Sequence, residues 1–126
     1  IRDKAVSRGL GDVYKRQERN YKIELSMEML KEAYDLRKND PYITDSLGWG
    51  YYLINDFENA EKYLKKAVEL MPYDPIVNDH YGDILWMLNR KIQARYFWNN
   101  VLNLEETDDE MKIDVKKKII YGIEKT

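Results

Sequence analysis

His80 is the only histidine in the chain, and with Ser46 and Asp79 it supplies the residue types of a hydrolytic triad. A triad needs a carboxylate that orients the ring and a hydroxyl within hydrogen-bond reach of it. Asp79 is the chain neighbour of His80, so on a helix it points away from that ring rather than holding it. No Gly-x-Ser-x-Gly elbow accompanies the set, and no glycine-rich phosphate loop occurs. A single histidine in a cysteine-free chain, without His-x₃-His or Glu-x-x-His spacing, makes no metal site. The sequence therefore predicts a non-catalytic protein without a cofactor.

The remaining residues with something to offer a ligand are rings and carboxylates. Trp49, Tyr52 and Trp86 are of the types that dominate binding hot spots. Rings at helical spacing also pack cores, and Tyr63 and Trp98 are assigned that role. Asp79 and Asp83 stand one turn apart on one helix face. A basic ligand side chain could meet both, or a Lys or Arg of a neighbouring element could pair with them.

The elements that position these residues come in two copies. Asp40-Pro41, Leu47-Gly48, Asn55, Ala60, Leu64, Ala67 and Leu70 recur 34 residues later as Asp74-Pro75, Tyr81-Gly82, Asn89, Ala94, Trp98, Val101 and Leu104. A fixed period of that length marks a stacked repeat array. In each copy Asp caps a helix whose first residue is Pro. The expected first helices end near Ile54 and Leu88, with turns at Asn55-Asp56 and Asn89-Arg90. Second helices are expected over Phe57–Met71 and Lys91–Leu104. Gly48 and Gly82 fall mid-helix, at a cost of about 1 kcal/mol relative to Ala. Their expected purpose is close approach of two helices, with Ala60 and Ala94 as small partners. Residues 20–37 read as the second helix of an earlier, partial repeat, with Ser26, Leu30 and Ala33 in phase with Ala60, Leu64 and Ala67. Thr107-x-x-Glu110 reads as a capping box that opens a last helix with the stripe Met111, Val115, Ile119 and Ile123. That helix, within 107–124, is expected to cap the array.

Residues 1–17 differ from the rest, with five basic and two acidic residues; sixteen Lys and Arg against twenty-one Asp and Glu remain without them. Asp12-Val13-Tyr14-Lys15-Arg16-Gln17 is the translation of GAT GTG TAT AAG AGA CAG, a transposon end used in sequencing libraries. The stretch is accordingly read as a non-native leader joined at about Glu18. The alternative is a genuine first helix of the partial repeat, carrying Leu10-Gly11-x-x-Tyr14. The whole chain has 126 residues, 44% hydrophobic and 35% charged, which suits one helical domain (18–126 without the leader). No apolar run is long enough to span a bilayer. A net charge of −2 gives no basic field for nucleic acid. Compartment and oligomeric state stay open.

These residues resemble the tetratricopeptide repeat, W-x₂-L-G-x₂-Y…A-x₃-F…P over 34 residues. Leu47-Gly48-x-x-Tyr51, Ala60-x₃-Leu64, Ala67 and Pro72 carry the likeness in the first copy. Tyr81-Gly82-x-x-Leu85, Ala94-x₃-Trp98 and Val101 carry it in the second. Thr44 and Asn78 stand in place of the Trp, and Glu106 in place of the closing Pro. Asp45-Ser46-Leu47-Gly48-Trp49 and Asn78-Asp79-His80-Tyr81-Gly82-Asp83 are similar to the last repeats of long proteobacterial proteins of this class, several of them exported. The resemblance implies an all-α, right-handed superhelix of antiparallel helix pairs, about two and a half repeats long, with first helices lining a concave face. It implies a protein or peptide partner in that groove. The groove positions would be Tyr42, Ser46, Trp49, Tyr52 and Leu53 from the first copy, and Ile76, Asp79, Asp83, Trp86 and Met87 from the second. Repeats that clamp a C-terminal carboxylate carry Lys, Arg and Asn at such places. Here Ser46, Trp49, Asp79 and Asp83 leave an aromatic, mildly acidic groove.

Two other readings compete. The chain could be the terminal structural segment of a longer solenoid, without a ligand of its own. It could be an RNA-binding helical repeat, but the acidic surface and the absence of basic groove residues speak against that.

Overall fold

The computed structural model describes residues 2–124, and of 2–12 the backbone alone. Ile1, Lys125 and Thr126 lie outside the described residues. The described chain is six helices: α1 (Arg2–Leu36), α2 (Pro41–Leu53), α3 (Phe57–Leu70), α4 (Pro75–Met87), α5 (Lys91–Asn103) and α6 (Asp109–Tyr121).

Local chemistry explains the boundaries. Asp40 Oδ1 accepts from the amides of Tyr42 and Ile43 at 2.9 and 3.1 Å, and Asp74 Oδ2 accepts from Val77 at 2.9 Å. Each such cap is worth about 1 kcal/mol. Asn55 and Asn89 end the first helices with φ of 63°, in the left-handed region that asparagine tolerates among non-glycine residues. Asp56 then caps α3 through Asn59, whereas Arg90 caps α5 with no side-chain bond.

α1 shows what happens without those signals. The positions one period before Asn55-Asp56 are Tyr21-Lys22. Tyrosine has no ease in the left-handed region and lysine accepts no amide hydrogen bond, so the helix runs on. The helix expected over 20–37 is thus the C-terminal part of a helix that begins at Arg2. Leu10-Gly11-x-x-Tyr14 lies within it, and no turn separates a first helix from a second.

The last helix also starts differently from the expectation. Its cap is Asp108, whose Oδ1 accepts from Met111 N at 2.8 Å. Thr107 is buried and donates its hydroxyl to the carbonyl of Val101, so it is not available to cap. Asp108 stands 34 residues after Asp74, as Asp74 does after Asp40. α6 therefore occupies the first-helix place of a third unit.

Packing repeats with the sequence. α2 packs most closely on α3 and α4 on α5, with α1·α2, α3·α4 and α5·α6 joining the units and α2 touching α4 lightly. The core runs through Leu47, Leu64, Ala67, Val77, Ile84, Leu85, Trp98, Val101 and Val115. Gly48 and Gly82 occupy equivalent places, each under the side chain one helix on. A Cβ at Gly48 would stand 2.7 Å from Leu64 Cγ, and one at Gly82 would stand 2.5 Å from Trp98 Cδ1. The side chains nearest these glycines are Leu64 and Trp98 rather than Ala60 and Ala94, and the Ala94 carbonyl would lie 3.2 Å from a Cβ at Gly82. Thr44 and Asn78, which stand where the repeat pattern has Trp, turn back on their own caps. Thr44 donates to Asp40 O at 2.7 Å and Asn78 to Pro72 O and Asp74 O at 3.0 and 2.8 Å.

Candidate functional site

The face built by α2, α4 and α6 divides into a closed half and an open half. α6 closes the second copy. Lys118 Nζ lies 2.8 Å from Asp79 Oδ1 and 2.9 Å from Asp83 Oδ1. Asp83 also accepts from Trp98 Nε1 at 3.0 Å. Burial pushes the Asp83 carboxyl up to about 6; the charge of Asp79 adds to this, while Lys118 and the two hydrogen bonds oppose it. Lys118 is raised despite its burial, because two carboxylates face one ammonium. Tyr52 borders this cluster, and its phenol is pushed up to about 12, first by burial and then by the charge of Asp83.

Trp86 is closed off as well. Its Nε1 donates to Ile123 O at 2.9 Å, and Lys91 and Arg95 lie over its ring. Gly122 fits beneath the indole with φ of 72°. Asp79, Asp83 and Trp86 are thus engaged by α6 and its C-terminal residues rather than presented to solvent. Met87 is partly buried against the core, and Ile76 is exposed at the start of α4.

The first copy is open. Tyr42 is 65% exposed and Leu53 40%, and Ser46 is exposed between them. Trp49 is held in a stack, with Tyr52 on one side (4.4 Å between centroids) and His80 on the other (4.1 Å). His80 is fixed by Asp45, which receives Nδ1 at 2.9 Å. Both faces of the Trp49 indole are therefore occupied by rings, and its edge turns toward α1. There Ser46, Trp49, Gly50 and Leu53 of α2 and Ile23, Ser26, Met27 and Leu30 of α1 line a cavity of about 580 Å³. Lys15, Glu18, Arg19 and Lys22 form its polar end.

These contacts give His80 other partners than the triad considered above. The carboxylate on His80 is Asp45, one helix back, not Asp79, and the ring's face is stacked on Trp49. Among the described residues no group of three His, Cys, Asp or Glu side chains is placed to hold a metal. No described helix is long and apolar enough to cross a membrane.

Two features of this face are not picked out by the sequence alone. Lys118 sits in a run of three lysines, and only the rotation of α6 selects it. The Asp45–His80 pair is separated by 35 residues, one more than the repeat, which is the signal that could have found it.

No family model matches the chain, and no curated protein does. A solved structure described as the first TPR of Spaghetti (RPAP3) bound to HSP90 peptide SRMEEVD superposes with a TM-score of 0.68. It covers 82% of this chain and 82% of that chain at 18% identity. The fold is an all-α, tetratricopeptide-like solenoid.

Proposed function

We propose that this chain is a non-catalytic interaction scaffold that holds a peptide or helix of another protein against its concave face. Tyr42, Ser46, the edge of Trp49 and Leu53 are the contacts open to such a ligand. Tyr52 acts by backing Trp49, and Asp79, Asp83, Trp86 and Met87 shape the far wall. The observation that carries this reading is the apolar cavity beside Trp49, left open while α6 covers the rest of the face. The similar solved domain holds a peptide, which supports the same class of role. A preformed ring stack favours binding because little ordering remains to be done when the ligand arrives.

A peptide-array experiment tests it. Trp49→Ala, with helicity and melting unchanged, loses capture of the array hits by tenfold or more. Undiminished capture moves the site elsewhere. A second reading, that the chain only closes the end of a longer solenoid, draws on the way α6 takes up Asp79, Asp83 and Trp86. Failure of every array peptide to bind favours it.

A further inference from the structure

The groove between α1 and α2 has a covered counterpart twice over in the same molecule. Ser26, Leu30 and Ala33 of α1 are in phase with Ala60, Leu64 and Ala67 of α3, and with Ala94, Trp98 and Val101 of α5. All six of those equivalents are 0% exposed, because α2 lies on α3 and α4 lies on α5. On α1 the same stripe is open: Ser26 is exposed and Leu30 and Ala33 are half-buried. Met29, on the same face, is 67% exposed, whereas its equivalents Tyr63 and Phe97 meet Tyr51 and Tyr81 of the covering helices.

From this we infer that the groove takes an amphipathic α-helix of a partner protein, seated antiparallel to α1 as α2 is to α3. The inference rests on the scaffold reading and names its ligand class. The occupant carries a small residue at its centre, where Leu30 projects as Leu64 projects onto Gly48. It carries acidic residues in its last turn. An antiparallel helix brings its C-terminal end to the start of the stripe, where Lys22 pairs with Glu18 at 3.0 Å and Arg19 adds a further positive charge. Basic side chains there complement both acidic side chains and the negative end of the helix dipole. α1 continues as helix through Tyr21-Lys22, the repeat's own turn position.

The test uses the full chain and a labelled synthetic peptide carrying the sequence of residues 40–54 followed by a turn with two glutamates. Fluorescence anisotropy reads binding and circular dichroism reads helix gained on mixing. The peptide is expected to bind and to gain helicity. Replacing the glycine equivalent to Gly48 by leucine weakens it tenfold or more. Ser26→Trp, an exposed substitution that leaves the melting curve in place, weakens it to the same extent, and Arg19→Glu weakens it severalfold. Equal binding of a proline-interrupted peptide overturns the inference, as does no effect of Ser26→Trp or no binding at all. A concentration-dependent dimer abolished by Ser26→Trp assigns the groove to a second copy and overturns it too. If these tests fail while Trp49-dependent capture of other peptides persists, the scaffold reading stands alone; if both fail, it falls as well.

Discussion

Lys118 reaches from α6 across the first-helix face to Asp83 of α4, ammonium to carboxylate at 2.9 Å, with Asp79 on its other side at 2.8 Å. One cation thereby holds the capping helix against two acids, and the pair is largely out of water. Removing one partner of such a pair leaves an uncompensated charge, at a cost of about 3 kcal/mol. Lys118→Met is expected to lose roughly that in urea unfolding. Lys118→Met with Asp83→Asn is expected to recover most of it, because the stranded charge is gone.

The same cluster sets a pH dependence. Asp83 is held at about 6 in the fold, above its ordinary 3.8, chiefly by burial. A carboxyl raised by folding contributes stability that is complete below its unfolded value and is lost as pH rises through its folded one. The fold therefore binds a proton the unfolded chain releases, between about pH 4 and 6, and stability falls on going from pH 5 to 7.5. The difference between wild type and Asp83→Asn over that range is about 1.4 kcal/mol. Melting temperatures of both proteins across the range check this: the dependence steepens in wild type and flattens in the variant.

Gly82→Ala pits two effects against each other. Alanine gains about 1 kcal/mol of helix propensity. Its methyl would meet Trp98 Cδ1 and Nε1 at 2.5 Å, inside the core, and Trp98 could yield only by leaving Asp83. Overpacking of this kind costs about 1–3 kcal/mol. The net expectation is a loss of about 1 kcal/mol, with a smaller one for Gly48→Ala, where Leu64 is an aliphatic neighbour. Chemical denaturation of both variants measures the order.

Gly122 ends α6 with φ of 72° and ψ of −165°, a backbone region that only glycine adopts at ease. A side chain there would also run into the Trp86 indole. Gly122→Ala is expected to cost about 1–3 kcal/mol. It also frees Trp86 from the Ile123 carbonyl, which a red shift of tryptophan emission reports.

Much of this fold was readable from the 34-residue period, because each hairpin is built from local signals. Asp40-Pro41 and Asp74-Pro75 start helices, Asn55 and Asn89 turn them, and the glycines mark where they cross. The same logic explains the misreadings. Thr107 has the capping-box spacing to Glu110, but the period points to Asp108, and Thr107 answers a carbonyl on α5 instead. The long α1 follows from Tyr21-Lys22, where the turn residues are missing. The candidate site was less legible. Trp49 and Trp86 are the same residue type on the two first helices, though not in phase, yet one edges an open cavity and the other lies beneath Gly122. That difference comes from where α6 docks, and no local pattern encodes it. Which lysine of 116–118 faces Asp83 likewise depends on the rotation of a helix against a neighbour.

The proposed binding place is the open groove between α1 and α2. The most direct measurement is an NMR titration of the ¹⁵N-labelled chain with the glutamate-bearing helical peptide. Shifts are expected to concentrate at Ser26, Leu30, Ser46 and the Trp49 indole N–H, with the Trp86 and Trp98 indoles undisturbed. Shifts gathered instead on the outer face of α5, or none at saturating peptide, would contradict it.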